Sequence, residues 1–189
     1  MRNALPAQAQ GKTIELWFQD EAGLGQKGTL SYIGAKTGTR PRMPHDQRYD
    51  CAYIFGAVCP ARDTGVAVVL PDADIPAMNL HLQAISKHVP RGAHAVILID
   101  GAGWHREGGN LRVPNNLTLI RFPSYCPELN AQENIWEYLR SNFLAGKIFG
   151  TYDDIVDACC VAWKELVATA GIIKSIAARS WLQFSQVIT

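Results

Sequence analysis

The 189-residue sequence contains no run of about 20 uninterrupted apolar residues, so no helical membrane span is expected. Its first residues, MRNALPAQAQGKT, lack the apolar segment of a secretory signal. There is no CxxC pair, no internal repeat and no low-complexity tract. Nor does one sign of charge dominate: 18 basic residues stand against 17 acidic ones, a net charge of +1. Such a balance neither demands nor excludes a nucleic-acid partner, and only the placement of the charges can speak to one. What is present is apolar content: 48% hydrophobic residues against 19% charged excludes disorder as the main state. A chain of this length can bury one full core. Cys51, Cys59, Cys126, Cys159 and Cys160 are odd in number and read as reduced, mostly buried thiols of a cytosolic protein, with a structural zinc as the alternative.

Residues 1–13 read as a lead-in and 14–189 as one domain. Ile14–Asp20 predicts a strand. A Gly-rich stretch from Ala22 to Asp50 follows, in which Thr29–Ile33 could form a short strand. Cys51–Val58 and Gly65–Leu70 predict two more strands, joined as a hairpin by the Pro60–Asp63 turn. A helix pattern runs from Pro76 to Val89 and stops at Pro90-Arg91-Gly92. His94–Asp100 (HAVILID) is apolar throughout, as in a strand buried on both faces. Leu117–Phe122 predicts a fifth strand, Leu129–Ala145 a long helix ended by Gly146, and Tyr152–Ala170 and Ile172–Phe184 further helices packed on the sheet. Hairpin-connected strands first, then strands alternating with helices, give an α/β fold: a mixed five-stranded sheet, its first three strands antiparallel, flanked by helices.

Three carboxylates occupy telling places. Asp20 closes the first strand, Asp100 closes the most apolar strand, and Glu133 lies one turn into the long helix. Carboxylates at the carboxyl ends of adjacent strands point into the crevice where α/β proteins bind ligands. Clustered, they repel and raise at least one pKa, and a divalent cation relieves that repulsion. Plainer readings stay open: Asp20 in a solvated turn, Asp100-Gly101 as a turn dipeptide, and Glu133 completing a capping box with Asn130. Glu21 is expected to point away from Asp20, because side chains alternate along a strand. Trp136 and Leu139 read as core residues of the helix.

Three segments then occur in order: Trp17-Phe18-Gln19-Asp20-Glu21, Leu98-Ile99-Asp100-Gly101-Ala102-Gly103-Trp104-His105, and Pro123-Ser124-Tyr125-Cys126-Pro127-Glu128-Leu129-Asn130-Ala131-Gln132-Glu133-Asn134-Ile135-Trp136. Together they resemble the catalytic domain of bacterial insertion-sequence transposases of the mariner-type superfamily, over roughly Ile14 to Arg140. The resemblance implies an RNase H-like fold with a DDE triad of Asp20, Asp100 and Glu133. The third acid follows the second by 33 positions (133 − 100), near the short gap typical of that family. It also implies two Mg²⁺ ions, with Mn²⁺ as substitute, held by the triad. The expected activity is cleavage at transposon ends followed by strand transfer into target DNA, in the bacterial cytoplasm at the nucleoid, by a homodimer. Ala131, Cys126 and Gly101 depart from the usual pattern, but none removes an acid.

His105, five residues past Asp100, is a candidate substrate-contacting or proton-handling residue, and Asn134, adjacent to Glu133, could orient that acid or contact DNA phosphate. Lys27, Lys36, Arg40, Arg42 and Arg48, opposed only by Asp46 in that stretch, suit a DNA backbone; Arg106, Arg112 and Arg121 could form a second basic patch. About 13 residues precede the first strand, too few for the helix-turn-helix module such transposases carry, so end recognition is expected on a separate DNA-binding half. A different RNase H-like nuclease, or a silent remnant that binds DNA or a partner chain, remain the alternatives.

Overall fold

The computed structural model describes residues 6–25, 36–38, 50–100, 110–122 and 129–178. Five strands form one sheet: β1 (Thr13–Gly25), β2 (Cys51–Cys59), β3 (Thr64–Leu70), β4 (Ala93–Ile99) and β5 (Leu117–Arg121), in the order β3-β2-β1-β4-β5. β1, β2 and β3 pair antiparallel, whereas β4 lies parallel to β1 and β5 parallel to β4. This is the mixed, RNase H-like arrangement expected. The Thr29–Ile33 segment lies outside the described residues.

Alternation along the strands sorts side chains into two layers. Trp17, Phe55, Ala57, Ile97 and Ile99 face α1 (Ile75–His88), where they meet Met78, Leu82 and Ile85. Phe18, Ile54, Val58, Val96 and Leu98 face the opposite layer. That layer holds α2 (Gln132–Leu139), α3 (Tyr152–Ala168) and α4 (Ile172–Ile176). β4 is buried at all seven positions, as its unbroken apolar run predicts.

Local chemistry sets the helix ends. Asp74 accepts the Ala77 N–H (2.8 Å) and starts α1 next to Pro76. Thr151 and Asp154 form a reciprocal capping box on α3. Asp63, left-handed at the end of the β2–β3 turn (φ 51°), accepts the backbone N–H groups of Gly171 and Lys174 and so caps α4 from a distant part of the chain.

Two helices differ from expectation. The one predicted from Leu129 begins at Gln132, because the Asn130 Oδ1 takes the Gln132 N–H (3.1 Å) and holds the preceding residues in a turn. Its last part, Arg140–Leu144, widens into a π-helical turn closed by the Ala145 N–H on the Arg140 carbonyl (2.7 Å). The helix predicted over Ile172–Phe184 spans only Ile172–Ile176 among the described residues. No helix among them is long and apolar enough to cross a membrane.

Candidate metal centre

The parallel pairing of β1 with β4 runs in constant register from Thr13↔Ala93 to Phe18↔Leu98. Continued by two residues, it sets Asp20 opposite Asp100. Both belong to the α2–α3 face, being in step with Phe18 and Leu98. Asp100 follows the last residue of β4, at the carboxyl end of the sheet. Arg121, paired with Ile99, ends β5 at the same rim and is exposed.

Asp20 is buried, with 8% of its surface exposed. Burial, then the charges of Glu21 and Glu133, push its carboxyl up to about 7; the Trp136 indole opposes this with a hydrogen bond from Nε1 to Oδ2 (3.1 Å). Glu133 and Trp136 lie one turn apart on α2 and both act on Asp20. The backbone N–H of Glu133 bonds the Asn130 carbonyl (3.3 Å).

Glu21 does not behave as alternation suggests. Single carboxylate oxygens of Asp20, Glu21 and Asp100 lie within 4.8 Å of one another. β4 stops at Ile99 while β1 continues to Gly25, paired there only with β2 among the described strands. Gln19, fully buried, donates from Nε2 to the Glu21 Oε2 (3.4 Å). Three convergent carboxylate oxygens are a hard donor set that could coordinate a divalent metal such as Mg²⁺. Glu133 lies outside that grouping but close enough to shift the Asp20 pKa.

The other singled-out residues scatter. Asn134 donates from its amide to the Ile176 carbonyl (3.2 Å), tying α2 to α4. Lys36 and Arg112 are exposed, and the Arg112 backbone N–H bonds the Asn79 Oδ1 (2.7 Å). Lys27, Arg40, Arg42, Arg48, His105 and Arg106 lie outside the described residues. The sequence reading missed two features. Glu21 was hidden by strand alternation. Trp136 is the core residue expected, 2% exposed, but it also touches the first acid; the Glu133-x-x-Trp136 spacing, one helical turn, was the available signal.

The chain is similar to known proteins in sequence and in fold. The family described as DDE superfamily endonuclease matches residues 15–156. An uncharacterised Sinorhizobium fredii protein, y4pE/y4sA, is 50% identical over 130 residues, 69% of this chain and 96% of that protein. The mariner Mos1 paired-end complex with Mg aligns with a TM-score of 0.62 at 11% identity, covering 86% of this chain and 51% of that one. The Mos1 transposase paired-end complex with left transposon end gives 0.60 at 13% identity with the same coverage, 86% and 51%. The chain thus spans about half the length of the Mos1 chains, and at such identity the likeness is one of fold. Asp20 does not close the first strand as expected but lies inside β1, where its carboxylate gathers with those of Glu21 and Asp100; with the family matched over most of its length, this chain belongs to the DDE superfamily of endonucleases and shares its catalytic-domain fold with the mariner-type transposases.

Proposed function

We propose that this chain is the catalytic domain of an insertion-sequence transposase, with Asp20, Asp100 and Glu133 as its acidic triad. In the proposed reaction a water oxygen attacks a phosphodiester at the transposon end. The P–O3′ bond breaks and the leaving oxygen takes a proton to become a free 3′-hydroxyl. That hydroxyl then attacks a target phosphodiester, forming one P–O bond as the target's own P–O3′ bond breaks. No covalent enzyme–DNA intermediate is required.

The observation that carries this reading is the convergence of the Asp20 and Asp100 carboxylate oxygens within 4.8 Å, with Glu133 on α2 within electrostatic reach of Asp20. Asp20 and Asp100 would hold a pair of Mg²⁺ ions, or Mn²⁺ in their place, with Glu133 closing the site. Such ions would supply charge neutralisation and Lewis acidity at the attacking and leaving oxygens. The protein's share is to fix the oxygens on rigid elements: Asp20 inside β1, Asp100 at the tip of a fully buried strand, Glu133 on a helix packed into the layer opposite α1. Flexible DNA backbone would be met by the basic side chains of Lys27, Lys36, Arg40, Arg42, Arg48 and His105, with the neutral amide of Asn134 as a further proposed contact. A homodimer would allow both transposon ends to be cut together.

Nicking of supercoiled plasmid in Mg²⁺ or Mn²⁺ tests the site. The wild-type chain is expected to nick and Asp100→Asn to fall to background, a loss beyond the ~100-fold that outer-shell changes cause at metal sites. Nicking retained in Asp100→Asn would overturn the assignment. Joining of pre-cut ends to a target separates a transposase from a nuclease, which forms no joined product.

A further inference from the structure

Trp136 is buried deeply enough to be explained by packing alone, yet its one polar atom is aimed at the first acid of the site. The bond from Nε1 to the Asp20 Oδ2 (3.1 Å) is itself buried and joins residues 116 positions apart. The surroundings are shaped to permit it. Gly56 on β2 stands directly opposite Asp20 in the β1–β2 register. A Cβ there would fall 2.6 Å from the Trp136 Cη2 and 2.7 Å from the Gln132 Nε2, distances that real Cβ atoms do not show. Any larger residue at position 56 would displace the indole. On its far side the indole meets Trp163, with ring centroids 6.1 Å apart. Trp163 in turn lies 3.0 Å from the Cβ positions that side chains at Gly56 and Gly65 would take. The absence of a side chain at Gly56 therefore leaves the space that the Trp136 ring fills, and α2 sets that ring one turn from Glu133.

We propose that Trp136 is a positioning residue for the metal centre: its indole N–H fixes the orientation of the Asp20 carboxylate, and Gly56 exists at its position to admit that indole. The inference rests on the cation-binding reading of the acidic cluster. A carboxylate held by one directed hydrogen bond cannot rotate freely, so its remaining donor capacity stays aimed at the cluster it shares with Glu21 and Asp100. The competing account is that Asp20 merely satisfies a buried indole N–H, as buried tryptophans require. The two accounts differ in what happens when the donor is removed and the ring is kept.

The experiment is titration calorimetry of Mn²⁺ into the full chain, with thermal melting of each variant in parallel. Wild type, Trp136→Phe, Trp163→Phe and Asp20→Asn are compared. Trp136→Phe is expected to weaken Mn²⁺ binding by about ten-fold or more, the scale of outer-shell partners at metal sites. Trp163→Phe removes a similar ring from the same cluster without touching an acid; it should lower the melting temperature and leave Mn²⁺ affinity unchanged. Equal affinity in wild type and Trp136→Phe, or equal weakening in both tryptophan variants, overturns the proposal. Should Trp136→Phe not fold, Gly56→Ala is the second variant; it should weaken binding likewise, and unchanged affinity there overturns the proposal. Mn²⁺ binding that does not respond to Asp20→Asn would bring down the cation site and this inference together. Binding that needs Asp20 but ignores Trp136 would bring down this inference alone.

Discussion

The layer under α1 and the layer under α2 and α3 each bury a titratable side chain, and the two are treated in opposite ways. On the α1 side His81 is fully buried beside Phe55, with ring centroids 5.9 Å apart. Burial pushes its pKa down to about 3, so it sits in the core as a neutral, apolar-packed ring. On the other side Asp20 is pushed up to about 7 by burial and then by Glu21 and Glu133. His81 sheds its charge to suit a core. Asp20 is kept among further carboxylates and next to an indole donor. A fold that wanted only stability would not gather acids there; the difference between the layers separates core from site.

That contrast can be broken by pH. A carboxyl whose folded pKa is raised contributes stability below its unfolded value, near 3.8, and loses it as pH rises toward 7. A histidine whose folded pKa is depressed contributes stability above its unfolded value, near 6.5, and loses it as pH falls toward 3. The two slopes oppose each other across the same range, each worth up to about 4 kcal/mol. Without divalent ions, urea melts of Asp20→Asn should show stability rising with pH from 4 to 6.5. The same melts of His81→Leu should show it falling from 4 to 7. Parallel slopes in the two variants would erase the distinction between the layers.

A smaller prediction sharpens the comparison by supplying a control on each face. Asp74→Ala removes the α1 cap, and Asp63→Ala removes the distant cap of α4. Each should cost about 1 kcal/mol in urea melts. Neither should alter the Mn²⁺ affinity, because neither belongs to the acidic cluster. A cap variant that abolished Mn²⁺ binding would mean that the site depends on global stability rather than on local geometry.

Much of this was legible in the sequence. The unbroken apolar run before Asp100 predicts a central strand, and a central strand ending in an acid places that acid at the binding edge. The hairpin before it was readable from Pro60 to Asp63, and the α3 start from the residues after Thr151. Other features depend on tertiary contacts that no local pattern carries. Glu21 joins the cluster although strand alternation places it on the other face from Asp20. The donor role of Trp136 depends on a glycine 80 positions earlier (136 − 56) standing across the sheet from Asp20. The short α4 is held by an acid from the β2–β3 turn, and the π-helical turn after Leu139 accompanies an edge-on contact between Tyr138 and Phe143, with centroids 5.9 Å apart. Asn134, read as a neighbour of the site, has its amide on the Ile176 carbonyl.

The most direct measurement is the melting temperature of the wild-type chain and of Asp100→Asn at pH 7.5, with and without excess Mn²⁺. If the carboxylates on the α2–α3 face form a cation site, Mn²⁺ raises the wild-type melting temperature progressively, by the equivalent of about 2.7 kcal/mol at a hundred times Kd. The Asp100→Asn chain should then respond little. Equal shifts in both chains, or none in the wild type, would contradict the account.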